Sequence, residues 1–152
     1  MIQRIQTIYL VLATLILGLT FAFPFATYTL GQENVIFNAY GVSENAGEVS
    51  TFFPYYITIA LSMGLALFSI LQDEKRKVQI KVGRFIYLLL SVTIAFVFID
   101  FYSLKGQFKI DSTAVSYGVS MFLPVAALPI LFMANRNIRK DEDLIKSLDR
   151  LR

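Results

Sequence analysis

The sequence predicts an all-α membrane protein: an up-down four-helix transmembrane bundle with a small extracytoplasmic β-hairpin and a short C-terminal amphipathic helix. Three observations support this fold class. Apolar residues make up 56% of the 152 residues, whereas charged residues make up 16%, below the ~25% of soluble domains. The charged residues are clustered, so long uncharged stretches separate them. Four of these stretches approach or exceed the length that crosses a bilayer.

The chain is interpreted as a single integral membrane domain, residues 1–152, that retains its first apolar stretch. A cleaved signal peptide is the alternative for this stretch. Its apolar region would be shorter, and small residues would precede the cleavage site, where this sequence has Phe21, Phe23, Pro24 and Phe25. The predicted spans are about 5–26, 53–71, 85–104 and 117–135, with outer loops 27–50 and 105–116, a cytoplasmic loop 72–84 and a cytoplasmic tail 136–152.

The first outer loop predicts a β-hairpin. Residues 27–30 and 35–40 are rich in β-forming residues, and residues 31–34 between them have turn chemistry. A two-stranded hairpin is marginal alone in water, so we expect it to lie on the outer rim of the helices. Residues 107–111 alternate polar and apolar side chains, which is compatible with a third strand.

Small residues and prolines mark the second and fourth spans. Ser50 or Thr51 is the expected cap of the second helix, with Pro54 in its first turn. Two small-residue pairs spaced by four predict packing within the bundle, with a homodimer seam as the alternative. Two prolines predict a kinked fourth helix, with a ligand site at the kink as the alternative. These residues are Ala60, Gly64, Ser62 and Ala66 in the second span, and Pro124 and Pro129 in the fourth.

The distribution of cations predicts the orientation. Twelve of the fourteen Lys and Arg residues lie in the N-terminal segment, the loop 72–84 and the tail, whereas only Lys105 and Lys109 lie in the outer segments. The positive-inside rule therefore places both termini in the cytoplasm of a bacterial inner membrane. Aromatic residues at the outer span ends are expected to form an interfacial belt; they are Phe21, Phe23, Phe25, Phe52, Phe53, Tyr55, Tyr56, Phe101, Tyr102 and Tyr117.

The tail predicts a short amphipathic helix with Asp141 as its N-cap. Leu144, Ile145, Leu148 and Leu151 share one face. About ten residues are too few for a stable isolated helix. The apolar face is therefore a candidate contact with lipid headgroups, with the bundle or with a protein partner, in that order of preference.

The residue types argue against catalysis. The sequence has no cysteine and no histidine, which removes thiolate chemistry and the commonest general base and metal ligand. It offers no paired carboxylates, metal cluster or phosphate loop, so we expect no enzyme, no cofactor and no nucleic-acid partner. The favoured function is a non-catalytic interaction or scaffold protein, whose partners are the lipid bilayer and an unidentified protein or a second copy.

Asp100 is the candidate functional residue, because it is the only ionisable residue well inside a predicted span. At about 22 Å from the inner edge it lies in the outer third of a ~30 Å core. There it is expected to reach headgroup water or Lys105 and to play a structural role. The alternative is a small transporter or channel subunit that uses Asp100 and the proline-kinked fourth span.

Motifs at the two ends of the chain are similar to those of a known protein family. The opening is Met-Ile-Gln-Arg-Ile-Gln-Thr-x-Tyr-Leu. The ending has three parts, Tyr117-Gly118…Phe122-Leu123-Pro124, then Ala134-Asn135-Arg136-x-Ile138-Arg139-Lys140-Asp141-Glu142, then Leu148-Asp149-Arg150-Leu151-Arg152. Together they resemble an uncharacterised four-span membrane family of Bacteroidetes, catalogued as domain of unknown function 4293. The resemblance implies an inner-membrane location and no activity, so it assigns no functional residue.

The predicted orientation is testable with reporter fusions. Alkaline phosphatase is active only outside the cytoplasm, so a fusion after Arg152 should be inactive and a fusion near Asn45 should be active. Enzyme activity normalised to fusion abundance is the measurement. An active C-terminal fusion would contradict four spans.

Overall fold

The computed structural model describes residues 3–30, 33–43, 51, 53–72, 75–107 and 115–149. These residues form four α-helices and one small antiparallel sheet. The helices are α1 (Gln3–Leu19), α2 (Tyr55–Leu71), α3 (Arg76–Gln107) and α4 (Leu123–Asp149). The strands are β1 (Ala26–Leu30), β2 (Glu33–Asn38), β3 (Gly41–Val42) and β4 (Val115–Tyr117).

The helices pack around a common core, and each lies beside its neighbours in the chain. Helix α1 packs against α2 and α4, and α3 also packs against α2 and α4. Tyr55 at the start of α2 and Phe101 near the end of α3 both contact the sheet, so these two helices run antiparallel. We call this the sheet end. The other end, where Gln6 of α1 meets Asp141 of α4, is called the polar end.

Apolar side chains cover the outside of the helices. Helix α3, with 32 residues, and the segment Val119–Ile145 are each long and apolar enough to cross a membrane, yet only 28% and 39% of their apolar windows are buried. The apolar segments Ile5–Leu19 and Tyr55–Leu71 are shorter. Large apolar side chains are exposed on all four helices, whereas the buried side chains include several hydroxyls and amides. This distribution differs from that of a soluble bundle, in which the outward face is polar.

The predicted hairpin is confirmed, and it is part of a larger sheet. Strands β1 and β2 pair antiparallel with Ala26 opposite Phe37, and the strand order is β3-β2-β1-β4. Residues 31–32 of the predicted turn lie outside the described residues. The third strand expected at 107–111 is wrong for Gln107, which is the last residue of α3. Residues 108–111 lie outside the described residues. Strand β4 joins β1 instead.

Two helices are shorter at the sheet end than the apolar stretches predicted. Helix α1 ends at Leu19 rather than near 26, and the next three amide groups donate to carbonyls three residues back, which tightens the last turn. Helix α4 begins at Leu123 rather than 117, because β4 and a 3₁₀ turn at Val119–Met121 precede it. Apolar composition predicted these segments as helix, but pairing with the sheet determines their conformation.

Helix α2 begins without the expected side-chain cap. Pro54 occupies the N-cap position without a side-chain hydrogen bond, so Thr51 is not the cap, and Ser50 lies outside the described residues. The carbonyl of Pro54 accepts hydrogen bonds from Ile57 and Thr58. Within α2, Ser62 and Ala66 are buried in the bundle, as the packing interpretation predicted. Ala60 and Gly64 face outward instead.

The charged segments at the polar end are mostly helical. Helix α3 begins at Arg76, so most of the predicted loop 72–84 forms its first turns. Helix α4 continues to Asp149, so the tail to that residue is not a separate helix. No glycine or proline interrupts residues 130–149, and the chain therefore has no local reason to leave the helical conformation.

Gly83 provides a test of the contact between α3 and α4. A Cβ atom at this buried glycine would overlap the carboxamide of Asn135. We expect Gly83→Ala to lower the free energy of unfolding by up to about 2 kcal/mol, because the ~1–3 kcal/mol cost of overpacking against Asn135 exceeds the ~0.5–1 kcal/mol that alanine gains over glycine inside a helix. A lower thermal unfolding temperature of the purified protein in detergent is the measurement.

Gly64→Ala is the matched control for this substitution. It introduces the same methyl group into α2, where no described atom beyond the helix's own neighbouring backbone lies within 4 Å of the new Cβ. Its helix propensity should leave the unfolding temperature unchanged or slightly raised. Equal losses in both variants would exclude a specific contact at Gly83.

Candidate functional site: polar contacts at the two ends of the bundle

Asp100 lies inside the bundle, at the sheet end of α3. Its side chain is 6% exposed. The Tyr55 hydroxyl, at the start of α2, lies 2.6 Å from Asp100 Oδ2 and 3.0 Å from the Phe96 carbonyl oxygen, and it can donate to either. The carboxylate is thus largely buried in the bundle, whereas the sequence had suggested that it reaches headgroup water or Lys105. Its position links α2 to α3.

An aromatic cluster surrounds this contact. The Phe25 ring lies with its centroid 5.1 Å from that of Phe37 and 5.6 Å from that of Tyr55. All three residues are fully buried. The predicted aromatic belt is therefore wrong for Phe25, Tyr55 and Phe101, which pack between the sheet and the helices. Tyr56 and Tyr102 are exposed, as a belt requires.

Tyr28 connects β1 to α3. Its hydroxyl donates to the carbonyl oxygen of Phe101 at 3.1 Å. Burial raises the pKa of Tyr28 far above its usual value, and the neighbouring Tyr117 and Asp100 raise it further. The neutral hydroxyl is therefore the form present at physiological pH, and it remains a hydrogen-bond donor.

Asp141 joins three helices at the polar end. Gln6 of α1 donates a side-chain hydrogen bond to the carboxylate of Asp141, and Arg76 of α3 donates to its backbone carbonyl at 2.8 Å. Asp141 is 5% exposed. The predicted N-cap role of Asp141 is wrong, because the residue lies inside α4 and its side chain is used between helices.

Several other buried polar groups also have partners. Gln79 of α3 donates to the carbonyl of Ser69 in α2 at 2.7 Å, which is a further link between these two helices. The hydroxyls of Thr14, Ser62 and Thr93 donate to carbonyls four residues earlier in their own helices. The hydroxyl of Thr20 is buried without a hydrogen-bond partner among the described residues.

Of the two prolines predicted inside the fourth helix, only Pro129 lies in its interior. Pro124 lies in the first turn of α4, where the absent N–H group costs little. Pro129 lies inside the helix. One residue before it, the carbonyl of Leu128 accepts a hydrogen bond from Tyr87 of α3 at 3.2 Å. Tyr87 is the polar group near the proline that the sequence did not reveal.

The apolar face of the tail is only partly described. Leu144 is 54% exposed and Ile145 is 45% exposed, so neither is buried against the bundle. Lipid and a protein partner remain as their candidate contacts. The side chain of Leu148, and Leu151 as a whole, lie outside the described residues.

Gln6, Tyr55, Arg76 and Gln79 are the positions that sequence reasoning missed. Gln6 and Gln79 are polar residues next to apolar stretches, which was the available signal. Their partners could not be deduced, since each lies on another helix. Among the described residues, no three His, Cys, Asp or Glu side chains lie close enough together to hold a metal ion.

Comparison with known families gives a match over nearly the whole chain. The family described as Domain of unknown function (DUF4293) matches residues 2–151. The chain belongs to this family. The resemblance noted at the two ends of the sequence is thus confirmed, and the match to DUF4293 includes all four helices and the sheet. No curated protein matches the sequence.

Substitution of Asp100 distinguishes a structural role from a coupling role. Asp100→Ala removes a hydrogen-bond acceptor of Tyr55, so we expect the free energy of unfolding to fall by about 1–3 kcal/mol. Asp100→Asn retains an acceptor oxygen and should unfold close to the parent temperature. Ser91→Ala, at an exposed hydroxyl of the same helix, is the control. An Asn variant that folds normally but behaves as a null in cells would favour proton or ion coupling.

Proposed function

We propose that this chain is a multi-pass protein of the bacterial inner membrane, with four spans and both termini in the cytoplasm. Its function is that of a non-catalytic scaffold, which presents the cytoplasmic end of α4 to a protein partner. The exposed pair Leu144 and Ile145 carries the proposal. Their helix is anchored to the bundle through Asp141, three residues earlier.

The apolar exterior supports placement in a membrane. Helices α3 and α4 are about 48 and 40 Å long, which exceeds the ~30 Å hydrocarbon core. Helices α1 and α2, with 17 residues each, are about 25 Å long. A span of that length is accommodated by local thinning of the bilayer or by residues that extend to its surface. Buried hydroxyls that are hydrogen-bonded to their own helices are also compatible with a bilayer, where polar groups need partners within the protein.

The position of the cations supports the orientation. Lys77, Lys81 and Arg84 on α3 lie beside Arg139 on α4, at the polar end of the bundle. The folded chain therefore gathers cations from two separate segments on one side of the apolar region. This side is the cytoplasmic one under the positive-inside rule.

Asp100 and the proline inside the fourth helix give less support to a transporter. Tyr87 is level with Leu128, next to Pro129. Asp100 lies thirteen residues further along α3, about 20 Å away at 1.5 Å per residue. The two features that motivated a transport pathway are thus at different depths. The polar contact of Asp100 joins helices, which favours the scaffold function.

The scaffold function is testable at the end of α4. Leu144→Asp combined with Ile145→Asp places two charges on the exposed apolar pair without disturbing the bundle. In a strain whose deletion has a phenotype, we expect this variant to accumulate in membranes but to fail in restoring the parent behaviour. A protein partner that co-purifies with the tagged full-length parent after mild solubilisation should be absent when the double variant is purified in the same way.

Ser147→Asp is the matched control, since it adds a charge at an exposed position of the same helix end. It should restore the parent behaviour. If the double variant also restores it fully, the apolar pair is not an interaction surface. If Asp100→Asn alone abolishes function, the transporter alternative takes precedence.

A further inference from the structure

A basic groove runs between α3 and α4 at the polar end. Two adjoining cavities of about 370 and 360 Å³ share Arg84, Arg139 and Asp143 in their walls. The carboxylates that line them are Glu142 and Asp143, so cations exceed anions. The cationic side chains of the groove are Lys77, Lys81, Arg84, Arg136, Arg139 and Lys140.

The groove lies where the apolar surface of the helices ends. Arg84 directly precedes Phe85, whose exposed ring begins the apolar face of α3. On α4, Arg136 is the first cation after the uncharged stretch 112–135. In a membrane, Arg84 on α3 and the turn of α4 from Arg136 to Arg139 would lie near the depth of the lipid phosphates, whereas Lys77 would lie further toward the cytoplasm.

The walls change from charged to apolar along the groove. Tyr87 and Phe132 line the part nearest the apolar surface, and the Phe132 ring is exposed to the surroundings. The Tyr87 hydroxyl is bonded to Leu128, which fixes the ring against α4. A ligand with an anionic group and an adjoining hydrocarbon chain matches this order of residues.

We propose that this groove binds the phosphate headgroup of an anionic phospholipid from the cytoplasmic leaflet. Arg84 and Arg139, on facing helices and shared by both cavities, bind the phosphate. Tyr87 and Phe132 contact the upper part of the acyl chains. Basic pockets between helices on the cytoplasmic side are suited to anionic headgroups. The proposal rests on the membrane placement of α3 and α4 given above, but not on the scaffold function.

The test measures lipid binding to the purified full-length chain. Phosphatidylglycerol is titrated against phosphatidylcholine in mixed micelles, and bound lipid is counted by native mass spectrometry. We expect the parent to bind phosphatidylglycerol selectively. Arg84→Gln with Arg139→Gln should weaken this binding about thirtyfold, since each cation near anionic lipid contributes about 1 kcal/mol. Lys81→Gln with Arg136→Gln provides a second pair in case the first misfolds.

Lys75→Gln is the control, because it removes an exposed cation at the same end of the bundle that does not line the groove. It should weaken binding less than threefold. A loss as large as that of the Arg84 and Arg139 double variant would reduce the effect to net charge and overturn the proposal. Displacement of the lipid by inorganic phosphate would identify a soluble anion as the occupant. Failure of the parent to enter lipid nanodiscs would contradict the membrane placement itself.

Discussion

Hydrogen bonds between helices determine how this bundle is assembled. Apolar side chains lie both inside and outside the helices, so apolar contact alone does not specify which faces meet. Asp141 supplies this specificity at the polar end, where it binds Gln6 of α1 and Arg76 of α3. Tyr55 supplies it at the sheet end through Asp100. A buried polar group without its partner costs about 1–3 kcal/mol, so pairings of the helices that separate these partners are disfavoured.

The two ends of the molecule differ in chemistry. The sheet end is closed by aromatic rings and by a sheet whose inward residues are fully buried. The polar end carries the basic groove and the exposed pair at the end of α4. Among the described residues, the two surfaces proposed for a lipid and for a protein partner thus both lie at the polar end. The buried carboxylate of Asp100, the most conspicuous residue of the sequence, belongs to the closed end.

Hydropathy predicted the four helices, and β-forming residues around a turn predicted the first hairpin, because both signals are local. The errors concern non-local effects. Residues 20–26 and 117–122 are apolar enough for helix, but pairing of Ala26 with Tyr117 places them in and around a sheet. Asp141 has the composition of an N-cap, yet its partner Gln6 is 135 residues away. Asp100 was identified correctly as unusual, but its contact with Tyr55 required the packing of α2 on α3.

The sheet can be completed only late in the synthesis of the chain. Strand β1 lies between β2 and β4, and Ala26 pairs with Tyr117 across 91 residues of sequence. The edge of β1 that accepts β4 therefore has no partner strand until β4, which follows α3 in the chain, has been synthesised. Unpaired edges promote association with other chains. A chain truncated within α3 would thus expose this edge of β1, whereas β4 covers it in the folded protein.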